Sequence, residues 1–315
     1  MLTYLKLFKN HSEYEEYLQS GDMVLPNVSY CTNIEDVHYN PYMHDYSTDY
    51  LTFVALEDGT FKFSKPLIQY SIDNGETWNS LSANTNTPTV AAGDKILWKS
   101  TNLTAESGGI GTFSSTGMYN VQGNAMSLHY GDNFSDKYSV PSYGFMNLFS
   151  GNAKLINAKN LVLPATTLAN RCYYGVFQNC TALVNAPKLP AVNLETHCYA
   201  NMFRYCSSLV SAPDLPATTL ATNCYMQMFQ GCSELVRTPE LKAPTLTTSC
   251  YSYLFRDCPK VSKITCLATN ISATGCTNYW VENVAPNGTF IKDASMTSWT
   301  EGAQGIPSGW TVTNA

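Results

Sequence analysis

The stretch CYYGVFQNCTALVNAPKLPAVNLETH, residues 172–197, recurs three times with its landmarks in place. Cys172, Cys198, Cys224, Cys250 and Cys276 are spaced by 26 residues, and Cys180, Cys206, Cys232 and Cys258 keep the same period. Tyr173, Tyr199, Tyr225 and Tyr251 hold the register, as do Phe177, Phe203, Phe229 and Phe255, then Leu183, Leu209, Leu235 and Val261. A fixed period across so many positions marks a repeat architecture. A cysteine-free copy, YGFMNLFSGNAKLINAKNLVLPATTL at 143–168, precedes them. Its Phe149 and Leu155 lie 28 residues before Phe177 and Leu183, so two residues are inserted there.

Within a unit, Cys172, Tyr173, Val176, Phe177 and Cys180 fall where one face of a short helix would present them. The apolar run ending at Pro187 predicts a strand of three to five residues, because proline closes a strand. One unit cannot bury its own apolar face, but a stack can. The expected fold is therefore mainly β with short helices. Residues 139–277 are expected to form an α/β solenoid, with a strand ladder on one side and helical turns on the other. Helices pack at ~8–10 Å and strands at ~4.8 Å, so the stack should curve.

The rest of the chain divides around that array. Residues 1–47 read as a small module: a strand in YLKLF, then a helix whose Ser12 and Glu15 make a capping box and which Gly21 ends. Residues 48–138 alternate in short runs (LTFVAL, TFKFS, IQYSI, KILWK) between Gly, Asn, Asp and Pro clusters, the pattern of a β-sandwich. Within them, Ser71, Asp73, Gly75, Thr77 and Trp78 match the Asp-box pattern S-x-D-x-G-x-T-W. This is a hairpin device, in which Asp and Gly shape the turn and Trp packs beneath it. Residues 278–315, with Trp280, Phe290, Trp299 and Trp310, read as a cap over the apolar end of the stack.

Composition narrows the function. Lys+Arg 18 against Asp+Glu 24 gives a net charge of −6, and charged residues make up only 13% of the chain. That argues against a nucleic-acid surface. The opening residues carry no apolar export segment, and no stretch approaches the ~20 apolar residues of a membrane helix, so neither export by a signal peptide nor membrane insertion is expected. The 11 cysteines read as a reduced, buried ladder, since free cysteine packs as a small hydrophobe. Cys31, His38 and His44 match no standard metal spacing. The chain has no G-x-S-x-G, no H-E-x-x-H and no P-loop. His197 shares a variable slot with Arg171, Asn223 and Ser249, which suits an exposed position better than a catalytic base. Neither an enzyme nor a bound cofactor or metal is expected.

Positions that vary between coils would line a continuous surface. Tyr174, Ala200, Met226 and Ser252 share one slot, and Gln178, Arg204, Gln230 and Arg256 share another beside Asn179, Tyr205, Gly231 and Asp257. Because Arg and Tyr anchor interfaces most often, Arg204, Tyr205, Tyr253, Arg256 and Tyr174 are the candidate binding residues.

Residues 218–246, TTLATNCYMQMFQGCSELVRTPELKAPTL, resemble the BspA-like leucine-rich repeats, although the unit here is longer and opens with Cys-Tyr. The whole chain is similar to virion proteins of phages infecting gut Bacteroidales, including crAss-like phages. The likeness rests on YLKLFKNHSEYEEYL (4–18), PNVSYC (26–31), VHYNP (37–41), YSIDNGETW (70–78), GDKILWK (93–99) and the ending at 288–312. It implies a fibre or decoration protein that docks on other virion proteins through residues 1–47. The solenoid would be displayed toward a host surface protein or glycan, and analogy with fibres implies a homotrimer. The alternative is a BspA-like bacterial cell-surface adhesin.

Overall fold

The computed structural model describes residues 44–100 and 103–315. The strand and capped helix expected before residue 44 lie outside the described residues. Tyr46–Ala315 pack as one unit, and its structure is mainly β. The described helix amounts to one turn at Ser127–Tyr130 and short 3-10 turns at Tyr46–Thr48 and Gly131–Asn133.

Alternating apolar residues build the first half. β1 (Leu51–Ala55), β3 (Ile68–Ser71), β4 (Asn79–Leu81), β5 (Lys95–Ser100), β7 (Tyr119–Asn124) and β8 (Leu155–Val162) form a sheet of order β4-β3-β5-β1-β7-β8. Every pairing is antiparallel except β7 with β8. Among the described residues the two comparable layers of a β-sandwich are not present. The second sheet of this half is, among them, the two-stranded ribbon of β2 (Phe61–Phe63) and β6 (Phe113–Ser115). The reason is that the repeats supply the remaining cover. Phe149, from the first coil, stacks on Phe113 at 5.8 Å and reaches Phe53 at 5.9 Å. Phe53, Phe61, Trp98 and Tyr119 complete this aromatic core, each fully buried.

β8 also starts the repeat array. From it a parallel ladder runs through Asn157, Asn185, Ser211 and Arg237 by successive bridges. It continues as β9 (Glu240–Leu241), β10 (Lys263–Cys266), β11 (Thr289–Lys292) and β12 (Thr311–Asn314), all parallel.

The short helices expected on the opposite side do not form. Residues 171–180 are a run of turns in which every fourth residue is left-handed, as at Arg171 (φ 53°), Gly175 (φ 61°) and Asn179 (φ 61°). Amides alternate between two jobs. Tyr174, Gln178 and Cys180 donate three residues back, to Arg171, Gly175 and Phe177 (3.0–3.2 Å). Tyr173, Gly175, Phe177 and Asn179 donate to Cys198, Ala200, Met202 and Arg204 in the next coil (2.8–3.0 Å). A helix would spend all these amides internally and leave none to join the coils. The four-residue turn period also explains the misreading, because apolar residues at i, i+4 and i+8 fit a period of 4.0 as well as one of 3.6. Both sides of a coil therefore bond directly to the next, and unequal spacing no longer supplies a reason for curvature.

Two aromatic columns fill the interior. Tyr173, Tyr199, Tyr225 and Tyr251 stack at 5.6–6.2 Å. Phe149, Phe177, Phe203, Phe229 and Phe255 stack at 5.4–5.8 Å. At the far end Trp280 lies over Tyr251 (6.3 Å) and Trp299 over Trp280 (5.6 Å), with Phe290 edge-on to both.

Candidate functional site

The turn side of the array carries all five candidate residues, and the left-handed positions fall in columns. One column reads Gly151, Asn179, Tyr205, Gly231, Asp257, Asn283. Glycine has no Cβ to clash at positive φ, and Asn and Asp tolerate it through local hydrogen bonds. Tyr205 (φ 60°) is the one bulky side chain in that column. Its ring occupies space that Gly231 leaves open in the next coil, where an added Cβ would overlap the ring.

Arg204 and Tyr205 act as a unit. The Arg204 guanidinium lies 4.6 Å from the centre of the Tyr205 ring, its Nη2 donates to the Tyr205 hydroxyl (3.1 Å), and its Nε donates to Oε1 of buried Gln230 (3.1 Å). Tyr205 remains 38% exposed, so part of its side chain is open to a partner.

Two coils on, at ~10 Å along the stack by the usual strand spacing, Tyr253 and Arg256 form a second unit. The Tyr253 ring stacks on Tyr279 (5.8 Å, 14°), and the Arg256 guanidinium sits 5.4 Å from the Tyr253 ring centre. Arg256 Nε lies 2.7 Å from Glu282 Oε2, but the N–H is not aimed at the oxygen, so the contact is an ion pair rather than a hydrogen bond. Tyr174 stands apart from both units. Its hydroxyl accepts from Nδ2 of buried Asn201 (2.6 Å), which leaves the phenol half-buried.

Sequence reasoning missed Tyr279 and Glu282 as members of this surface, and it placed Gln230 on that surface where the structure buries it under Arg204. The signal was present: carrying the 26-residue register past Cys276 puts Tyr279 in the slot of Tyr253 and Glu282 in that of Arg256. The coil does continue there, with Tyr253 and Asp257 amides donating to Asn278 and Glu282 (2.8 and 2.9 Å). His197 sits in the left-handed column with Arg171, Asn223 and Ser249. Partial burial, then the nearby Arg171 charge, lowers its pKa.

The thiols offer little chemistry. Ten are free and buried, and Cys31 lies outside the described residues, as does His38. Burial pushes Cys180 up to about 12 and Cys206 well above the ordinary thiol range. A thiolate, which is the reactive form, is therefore disfavoured in both. Among the described residues no cluster of His, Cys, Asp or Glu has the makings of a metal site, and no helix is long and apolar enough to cross a membrane.

The Asp-box hairpin joins β3 to β4. Asp73 Oδ1 accepts from the Ser71 hydroxyl (2.6 Å) and the Thr77 amide (3.0 Å), and Oδ2 accepts from the Thr77 hydroxyl (2.5 Å). These bonds hold the carboxyl down at about 2. Trp78 packs edge-on to Tyr50 (4.9 Å) and under the Lys99 ammonium (4.1 Å). Lys99 and the Tyr50 hydroxyl both bond Asp132 (2.7 and 2.6 Å). Both oxygens of the Asp73 carboxylate are thus engaged within the hairpin.

Compared with protein-family models, curated proteins and solved structures, the chain gave no match.

Proposed function

We propose that this chain is a non-enzymatic phage virion protein, a head or tail fibre or decoration subunit. Its leucine-rich-repeat-like solenoid is displayed for contact with a host surface protein or glycan. The observation that carries the binding part is Tyr205. A bulky residue at positive φ costs on the order of 1 kcal/mol or more, and such strain persists at functional positions that the surroundings over-determine. Here the strain presents a half-open aromatic ring beside an arginine, the pair of side chains most enriched at interface hot spots. Tyr253, Arg256 and Tyr279 repeat the arrangement two coils away, which suits an extended partner. The virion part, including docking through residues 1–47 and assembly as a trimer, rests on the family resemblance.

Mass spectrometry and cryo-EM of purified particles from a lysate encoding this gene test the reading. Stoichiometric presence with the turn side facing outward is expected, with Tyr205→Ala particles adsorbing to host cells at least ten-fold more slowly. Absence from particles together with presence on intact bacterial surfaces would overturn it in favour of the BspA-like adhesin.

A further inference from the structure

The opposite, strand-bearing side of the array holds a cleft of about 570 Å³ bounded by Asp214, Val236, Arg237, Glu240, Lys263 and Thr265. It arises where the repeat changes its corner. In two successive coils that corner is Pro-x-Leu-Pro (187–190 and 213–216), whereas in the next Lys242 replaces the second proline and β9 pairs with β10 instead. The kinked corner and the regular strand do not fill the same space, and the cleft lies between them.

The charges in this cleft are ordered. Along the ladder one slot reads Asn157, Asn185, Ser211 and Arg237. The next coil is one residue shorter there, because β10 pairs Thr265 with Glu240, and Lys263 therefore comes beside Thr238 rather than Arg237. Neutral side chains thus give way to an exposed cation at Arg237, and Lys263, exposed on the next coil, brings a second to the same cleft. The Thr238 hydroxyl ties these coils together by donating to the Lys263 carbonyl (2.8 Å). Neither cation is relieved by an ion pair with a described residue. Of the two carboxylates three residues from Arg237, Glu240 lies 4.0 Å from Lys242 and Glu234 pairs with Lys260. Elsewhere Lys99, Arg256 and Lys260 each close on a carboxylate. Across the cleft Asp214 and Glu240 occupy one slot on consecutive coils, and the Ser262 and Thr265 hydroxyls line it with them. Val236, 51% exposed, adds an apolar patch.

We propose that this cleft binds an acidic sugar, with its carboxylate set against Arg237 and Lys263. The arginine fork can engage both oxygens of a carboxylate at once, and the lysine adds a second positive charge to the same cleft. Asp214 and Glu240 accept hydrogen bonds from the sugar hydroxyls. Val236 packs against the C–H face of the ring. The volume suits a small ligand rather than a protein segment. The site is separate from Tyr205 and Arg256, and it stands or falls independently of the turn-side reading.

Calorimetry of the full chain at low salt, with trigalacturonate, neutral trigalactose and inorganic phosphate as probes, tests it. Trigalacturonate is expected to bind at least about ten-fold more tightly than either other probe. Arg237→Ala and Lys263→Ala should each lose about ten-fold in affinity while keeping the wild-type melting temperature, and Lys159→Ala, which removes an exposed cation on β8, should bind normally. Equal binding of the neutral sugar, equal binding of phosphate, no binding of trigalacturonate, or full affinity in both cleft variants would each overturn the assignment. Should Arg237→Ala fail to fold, Arg237→Lys serves in its place: it keeps the charge but loses the fork, and an unchanged affinity would overturn the bidentate contact.

Discussion

The Cys206 thiol donates to the carbonyl oxygen of Phe177 in the preceding coil, at 3.0 Å. The same oxygen already accepts the Cys180 amide at 3.0 Å, so both of its lone pairs are used. Cys180, Cys232 and Cys258 repeat the contact with Phe149, Phe203 and Phe229 (3.0–3.1 Å). The second cysteine ladder is thus a row of weak staples between coils. Cys206→Ala removes one staple and leaves a small void, and urea unfolding should show a loss of about 1–2 kcal/mol.

The same burial governs reactivity. Among the described thiols, none should react with a disulfide reagent in the folded protein, and the rate should not climb between pH 7 and 9. Denaturant should release all 11 thiols counted in the sequence. Rapid labelling of several thiols under native conditions would contradict the buried ladder.

Gly231 and Tyr205 are coupled through space that only glycine leaves free. Gly231→Ala adds a Cβ at φ 74° against the ring and should cost about 1–2 kcal/mol. In a Tyr205→Ala background the steric part disappears, so the same change should cost visibly less. A double-mutant cycle by chemical denaturation measures the difference, and strict additivity would mean the ring does not lie over Gly231.

The repeat period, the buried cysteines and the aromatic columns were legible because each coil repeats one burial demand at identical positions. The turn backbone was not, since Cys172, Val176 and Cys180 satisfy helical and four-residue periods alike. The cue lay in the polar residues. Gly175 with Asn179, Asn223 with Gly231, and Asn201 mark fourth-residue positions where positive φ is tolerated, a pattern a helix would not need. Arg204, Tyr205, Tyr253 and Arg256 were readable as variable surface positions, but their pairing was not. The stacking of Tyr253 on Tyr279 and the room that Gly231 leaves are relations between coils. The strand-side cleft was hidden for a similar reason, because it depends on where a proline corner gives way to a strand.

The hydroxyls of Tyr199 and Tyr225 are buried and have no hydrogen-bond partner in the fold. An unpaired buried hydroxyl costs free energy, whereas the ring itself is held by stacking at 5.9 Å. Tyr225→Phe should therefore be neutral or raise stability by up to about 1 kcal/mol, read as a higher urea midpoint at unchanged slope. A loss greater than that would show that the hydroxyl is satisfied.

His129 sets a pH dependence. Its ring lies edge-on to Phe145 (4.7 Å), one nitrogen is 3.2 Å from the Gly144 carbonyl oxygen, and burial lowers its pKa to about 4. An unfolded histidine titrates near ~6.5, so between that value and 4 the unfolded chain binds a proton that the folded one refuses. The stabilisation is complete above pH ~6.5 and is lost as pH falls toward 4. The full span would be worth ~3 kcal/mol, and because the ring keeps some solvent contact we expect about 2 kcal/mol. His129→Gln cannot take up that proton. Carboxylates contribute equally to both proteins, so the difference between their stability curves isolates the histidine. That difference should change by about 2 kcal/mol between pH 7 and pH 4, and parallel curves would show that His129 titrates alike in the folded and unfolded chains.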